Sequence, residues 1–263
     1  MKPAYIKSAA ALVVMFATLI SMSSHAANWS TTELHVQYGK LDQPFDSVPN
    51  SSADTTILTF QHSSGWDFGT NFFFVDYSSV NNSDSLYLEW YPTLSTKQVF
   101  DVSYNGLLSD IRLVMGINAA PESDILKYLP GVQLGLNVEG FNFLNVLIAG
   151  YIDDNEGIAN GGAPKEENSW IVDVSWSYPV AIQQQQFYID GHAEYINRRK
   201  TEITNRETKS WVLAQVQVRW DVGKALSQAP NRLFAGIEYQ YWNNKLGTDV
   251  DENAVQLLGV WRF

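Results

Sequence analysis

The sequence predicts an all-β protein, a transmembrane antiparallel up-and-down β-barrel of about twelve strands. Three observations point there. Apolar and polar residues alternate with period two from residue 32 to the C-terminus, no segment shows a helical period, and the chain ends on an aromatic strand. In that last strand Val255, Leu257, Trp261 and Phe263 fall on one side with Gly259 among them, and Gln256 and Arg262 fall on the other, because successive strand side chains point to opposite faces. A terminal Phe closing such a strand is how bacterial outer-membrane barrels typically finish. The C-terminal edge strand of a soluble sandwich is the rival reading of the same pattern.

The first element is expected to be a secretory signal peptide over 1–26. Lys2 and Lys7 precede the apolar run Ala9 to Ile20, Ser24-His25-Ala26 forms a small-x-small cleavage site, and no acid precedes Glu33. The run is too short to span a membrane as a helix. Residues 27–263 are then the barrel. Strands are expected at about 32–41, 55–62, 70–78, 85–91, 110–118, 129–138, 142–152, 169–178, 186–196, 210–220, 232–242 and 254–263. The later ones alternate most cleanly: Trp170, Val172, Val174, Trp176 and Tyr178 oppose Asp173, Ser175 and Ser177, and Val212, Ala214, Val216, Val218 and Trp220 oppose Gln215, Gln217 and Arg219.

Twelve is an even number, as single-chain bacterial barrels require, and their long loops lie outside with short turns on the periplasmic side. With both termini in the periplasm the connections follow this rule, except at 92–109, which is read as a periplasmic excursion or a missed pair of strands. Acidic residues gather in the proposed outer loops: Asp42, Asp46 and Asp54 in the first, and Asp153, Asp154, Glu156, Glu166 and Glu167 in the fourth. The stretch 153–157 offers oxygen ligands of the kind Ca²⁺ takes, but is read as a solvated loop.

Composition narrows the function. Hydrophobic content is ordinary, yet there are 9 Trp, 13 Tyr and 13 Phe, or 13% aromatic residues, which suits a barrel with an aromatic girdle at each membrane interface. The absence of cysteine removes disulfides and thiolate metal sites. A net charge of −11 argues against nucleic acid as a partner. No cofactor and no metal site is expected, and His35, His62 and His192 are read as wall residues.

The polar faces mix aromatics with carboxylates, amides and a few arginines, which suits a lined channel. A twelve-stranded bore is narrow, since diameter grows with strand number. In the segment Trp66 to Asp76, Asp76 belongs in the lumen because an ionised carboxylate is penalised in lipid. Parity then places Phe72 and Phe74 beside it and sends Phe73, Val75 and Tyr77 to lipid. Two rings aligned with a carboxylate suit planar solutes that stack and donate hydrogen bonds. The expected channel lining is Phe72, Phe74, Asp76, Tyr87, Glu89, Arg112, Asp190, Arg219 and Glu238.

At this block the chain resembles the Tsx-like nucleoside-specific channels, which include the OmpK proteins. The resemblance is carried by Trp66 through Asp76 and by Leu86-Tyr87-Leu88-Glu89-Trp90-Tyr91-Pro92. It continues in Gly140-Phe141-Asn142-Phe143-Leu144, Tyr188-Ile189-Asp190-Gly191, Gly236 through Trp242, and Gln256 through Phe263. It implies a monomeric twelve-stranded barrel with a long narrow channel for nucleosides or similar small solutes, set in outer-membrane lipid and lipopolysaccharide, with bacteriophage as a further partner of the outer loops. Two positions depart from the pattern: Thr70 stands where relatives often carry Asp, and Thr93 where Arg is expected.

Two other readings remain at this point. A structural or receptor barrel would have a closed lumen. An outer-membrane lipid hydrolase would need a base and nucleophile, and His62 and Ser64 have the spacing of one such site, although the Asn expected before Gly65 is missing and turn chemistry explains Ser63-Ser64-Gly65.

Overall fold

The computed structural model describes residues 27–48, 51–81, 83–204 and 206–263, so the signal peptide expected over 1–26 lies outside the described residues. Alternation becomes strand throughout. The elements are β1 (Trp29–Asp42), β2 (Ser52–Trp66), β3 (Gly69–Val80), β4 (Ser83–Ser95), β5 (Leu108–Ala120), β6 (Ile125–Leu136), β7 (Phe143–Asp153), β8 (Ser169–Ile182), β9 (Gln185–Ile196), β10 (Arg199–Lys200), β11 (Glu207–Thr208), β12 (Trp211–Asp221), β13 (Leu233–Asn243) and β14 (Glu252–Arg262). Twelve of these close into one barrel, while β10 and β11 form a separate ribbon in the connection from β9 to β12. Every neighbouring pair is antiparallel, and the barrel closes where β1 meets β14 from Glu33↔Arg262 to Gly39↔Gln256.

Each expected barrel strand exists, and the differences lie at the ends. β4 was expected to stop before Pro92 and instead runs to Ser95. Pro92 has no N–H to donate. It still pairs with Asn71 of β3, while on the other side the β5 ladder breaks after Trp90↔Ile117 and resumes at Thr93↔Val114. β8 likewise passes through Pro179. The segment 92–109 contains no further pair of strands: after β4 comes a short helix, Thr96–Phe100, capped by Ser95 Oγ, and then an irregular stretch to β5. That leaves the excursion reading.

Burial is inverted relative to a water-soluble protein. The inward faces carry Glu33, His35, Gln37, Glu238, Gln240 and Gln256, all buried, while Leu34, Val36, Tyr38, Ile237, Tyr239, Val255 and Leu257 on the outward faces are exposed. Leaving one large apolar side chain in water forfeits about 1.5–3 kcal/mol, so a continuous belt of them fits a lipid surround. Outward aromatics cluster toward both ends, with Tyr38, Tyr77, Trp170 and Tyr241 nearer the long loops and Phe60, Trp220, Trp261 and Phe263 nearer the termini. Among the described residues no helix is long and apolar enough to cross a membrane.

Candidate functional site

The barrel order decides which strands face one another. β3 and β4 lie across the bore from β9 and β12. Strands β3 and β4 bring Phe72, Phe74, Asp76, Glu89 and Tyr91 to the interior, and the opposite wall brings Asp190, His192, Glu194, Gln215, Gln217 and Arg219. Between them lies a cavity of about 570 Å³. It reaches the rim that carries the chain termini, where Trp29, Thr31, Ser63 and Thr70 face Asn142 and Phe143.

Three polar networks hold the wall. Near the termini Glu33 is the hub: Arg219 Nη1 donates to its Oε2 at 3.1 Å, Arg262 Nε to its Oε1 at 2.7 Å, and His35 Nε2 lies 2.9 Å from Oε2. Arg219 also reaches Asp190 at 3.5 Å. At mid-height Glu238 accepts from Gln37 Nε2 at 2.7 Å, Gln217 Nε2 at 2.6 Å and Gln256 Nε2 at 3.0 Å, so amide donors replace a counter-charge. On the aromatic side Tyr87 Oη donates to Glu89 Oε1 at 2.5 Å, Asn118 Nδ2 donates to the same oxygen at 2.8 Å, and Tyr91 Oη donates to Asn118 at 2.9 Å. Thr59 Oγ1 donates to Asp76 at 2.5 Å.

His192 sits where these walls converge. Its ring nitrogens lie 2.8 Å from Asp173 Oδ2 and 2.9 Å from Gln215 Oε1. The Gln215 amide is turned this way because its Nε2 donates to Gln240 Oε1 at 2.9 Å. Asp76 and Glu238 are within electrostatic reach of one another, and His192 is within reach of both Asp76 and Glu89. Around the whole cavity stand seven carboxylates (Glu33, Asp76, Glu89, Asp173, Asp190, Glu194 and Glu238) against three arginines (Arg112, Arg219 and Arg262), which makes the interior acidic.

Of the residues expected from sequence, Phe72, Phe74, Asp76, Glu89, Arg112, Asp190, Arg219 and Glu238 border the cavity. Tyr87 faces inward but sits behind Glu89, which it holds by its hydroxyl. Arg112 is anchored to Gln133 Oε1 at 3.1 Å and Asp110 at 3.1 Å. Phe73 stands on the outer face against His62, with ring centroids 5.4 Å apart. Thr70 and Thr93, the two departures from the Tsx-like pattern, touch each other through their hydroxyls at 2.8 Å. Glu33, His35, Gln37, Thr59, Asp173, His192, Glu194 and Arg262 were not on the expected list. The parity of their strands was the available signal, since each shares a face with a polar or expected residue. His62 bonds Thr32 Oγ1 at 2.8 Å at the end of the barrel that carries the termini. The acidic stretch after β7 is not fully solvated, because Asp153 pairs with Lys127.

No family model matches the chain, and no curated protein matches it. Solved structures do. The NanC porin superposes with a TM-score of 0.51 at 15% identity, covering 87% of this chain and 98% of the porin. An outer membrane channel from Pseudomonas putida F1 superposes with a TM-score of 0.50 at 8% identity, covering 92% of this chain and all (100%) of that one. At such identities the likeness concerns the fold, and the fold is that of outer-membrane porins and channels.

Proposed function

We propose that the protein is an outer-membrane channel for the passive, substrate-selective diffusion of nucleosides or similar small polar solutes, working as a monomer with its termini in the periplasm. The observation that carries this reading is the pairing of walls. Phe72 and Phe74 on β3 face a wall of amides, carboxylates and His192 on β9 and β12. A planar base stacks on the first wall while its edge and a sugar's hydroxyls find acceptors and donors on the second. A concave cavity of a few hundred Å³ into which polar groups converge is a usual form of a small-molecule site. The Tsx-like motifs support nucleosides in particular, and the outward apolar belt supports membrane insertion among lipid and lipopolysaccharide.

The test is reconstitution into liposomes, with uptake of adenosine, thymidine and a sugar of similar size compared side by side. Faster, saturable uptake of both nucleosides is expected. Equal rates for all three solutes reduce the protein to a general pore.

One observation favours a second reading, a closed structural barrel whose outer loops serve as a phage receptor: on the loop side of the cavity the interior is packed. The absence of uptake for every solute would select it. Lipid hydrolysis receives no such support, because His62 is engaged by Thr32.

A further inference from the structure

Among the described residues the lining of the cavity runs to the rim that carries the termini and stops short of the opposite end. Beyond the level of Glu89 and Glu194 most inward residues of β1, β2, β5–β9 and β12–β14 are buried, and Leu129, Tyr151, Ile171, Ile196, Trp211 and Leu213 form an apolar core inside the barrel. Loops cover this core from the far end. The connection 154–168 lies against the ribbon β10–β11, where Glu202 accepts from Ile158 N at 2.7 Å and Lys165 N at 3.0 Å. It also rests on the turn after β5, where Ala163 N donates to Ser123 O at 3.0 Å. On its other side the ribbon meets the next loop through Lys209 N to Gly247 O at 3.0 Å.

Glu166 ties this cover to the barrel. Its Oε2 accepts from Lys127 Nζ on β6 and from Arg199 Nε on β10, each at 2.7 Å, and its Oε1 accepts from Thr208 Oγ1 on β11 at 2.5 Å. Arg199 in turn lies over the rings of Tyr151 and Trp211, 5.0 and 4.7 Å from their centroids. It is buried, its Nη1 has no hydrogen-bond partner among the described residues, and Glu166 is its ion-pair partner. Lys127 keeps Asp153 if Glu166 is lost. Arg199 does not, and a buried unpaired guanidinium is strongly unfavourable. The favourable escape is for Arg199 to move to water, taking the ribbon and loop with it.

We propose that the loop 154–168 and the ribbon β10–β11 form a lid over the extracellular mouth, held shut by Glu166, and that solute passage requires this lid to open. The inference rests on the channel reading but is independent of which solute is carried. A closed mouth held by a few ion pairs has two arrangements separated by a modest free energy, as a gate requires.

The chain has no cysteine, so an introduced pair reports on the lid alone. A Cβ on Gly162 would stand 2.9 Å from that of Asp124 and 2.7 Å from that of Glu156 on the same loop. A disulfide places its two Cβ atoms about 3.5–4.5 Å apart. Asp124→Cys with Gly162→Cys is therefore made together with Glu156→Gly, which removes the second clash, and a small outward shift of the loop accommodates the cross-link. In planar bilayers carrying KCl, the oxidised variant should conduct at least about tenfold less than the reduced one, which corresponds to roughly 1.4 kcal/mol. Glu166→Ala should conduct severalfold more than the unsubstituted protein. Equal conductance before and after reduction, with the cross-link verified by mass, overturns the lid. A normal response to the cross-link with no change in Glu166→Ala overturns the role of Glu166. Because potassium chloride is the probe, a loss of nucleoside selectivity leaves this result untouched, so the two readings fail separately.

Discussion

Phe73 and Phe74 are adjacent in sequence and occupy opposite sides of a wall one strand thick. Phe74 borders the cavity, with ring centroids 6.1 Å from Phe72 and 6.0 Å from Tyr87, whereas Phe73 packs against His62 and Phe60 outside. Phe74→Ala should therefore weaken the proposed nucleoside selectivity and spare assembly. Stacking of a base on an aromatic is worth about 1–3 kcal/mol, and a loss of about 1.4 kcal/mol would appear as a tenfold change in competition between a nucleoside and a sugar. Phe73→Ala should lower thermal stability, by about 0.5–1.5 kcal/mol for a lost aromatic pair, and leave selectivity alone. The reverse pattern would show that the face assignment is inverted. At this scale strand parity was informative, because one inward carboxylate, Asp76, orients its whole strand. The partner of each side chain was not readable. Thr70 and Thr93 are separate departures in the sequence, and only the β3–β4 register shows that they share a hydrogen bond.

At the scale of elements, the strands were legible and their ends were not. β2 runs past the expected 55–62 at both ends, because Thr55 faces inward and Thr56 outward and these β-branched polar residues blur the alternation. β4 and β8 continue through Pro92 and Pro179 because a proline costs only its own ladder bond. The loops reverse this: their positions were evident and their structure was not. A tag inserted at Gly161, which is exposed in the lid, should be reached by antibody on intact cells, and one at Gly140, at the opposite end, should not. A surface-exposed Gly140 tag would reverse the topology. The lid should also respond to acid. Burial alone would raise the Glu166 carboxyl, but the charges of Arg199 and Lys127 outweigh it and hold the group below its ordinary value. A depressed carboxyl contributes its stabilisation above the unfolded value and loses it as pH falls through the folded one. Asp153, Lys127, Arg199 and Thr208 are the groups that face it. The closed lid should be the dominant state through neutral and mildly acidic pH, opening only transiently, and should loosen in strong acid, read as protease cleavage in 154–168 that rises as pH is lowered. Cleavage that instead rises toward alkaline pH would contradict this latch.

For the whole molecule the decisive property is the sign of the interior. Seven carboxylates and three arginines border the cavity, and a low-dielectric bore lined with one excess charge concentrates ions of the other. The open channel should pass K⁺ in preference to Cl⁻, measured as a reversal potential across a KCl gradient. Asp76→Asn should reduce that preference while keeping the shape of the site, since an amide still accepts a hydrogen bond but carries no charge. A chloride-selective reversal potential would mean that the arginines, and not the carboxylates, control the field.

The sequence alone determined the barrel, its strand number and which face of each strand is polar. Those properties follow from local alternation, from the two-residue repeat of the strand and from the cost of placing charge in lipid. It also placed eight of the nine expected residues on the cavity wall. The tertiary structure decided what no local pattern encodes. Closure between β1 and β14 sets β3 opposite β9, so that Phe74 and His192 belong to one site although they are far apart in the chain. It also folds the fourth outer loop inward, turning Glu166 from one of several loop acids into the partner of Lys127 and Arg199. The physical reason is the same in both cases: strand identity is fixed by neighbours one or two residues away, whereas a channel and its lid are built from side chains that meet only after the sheet has closed.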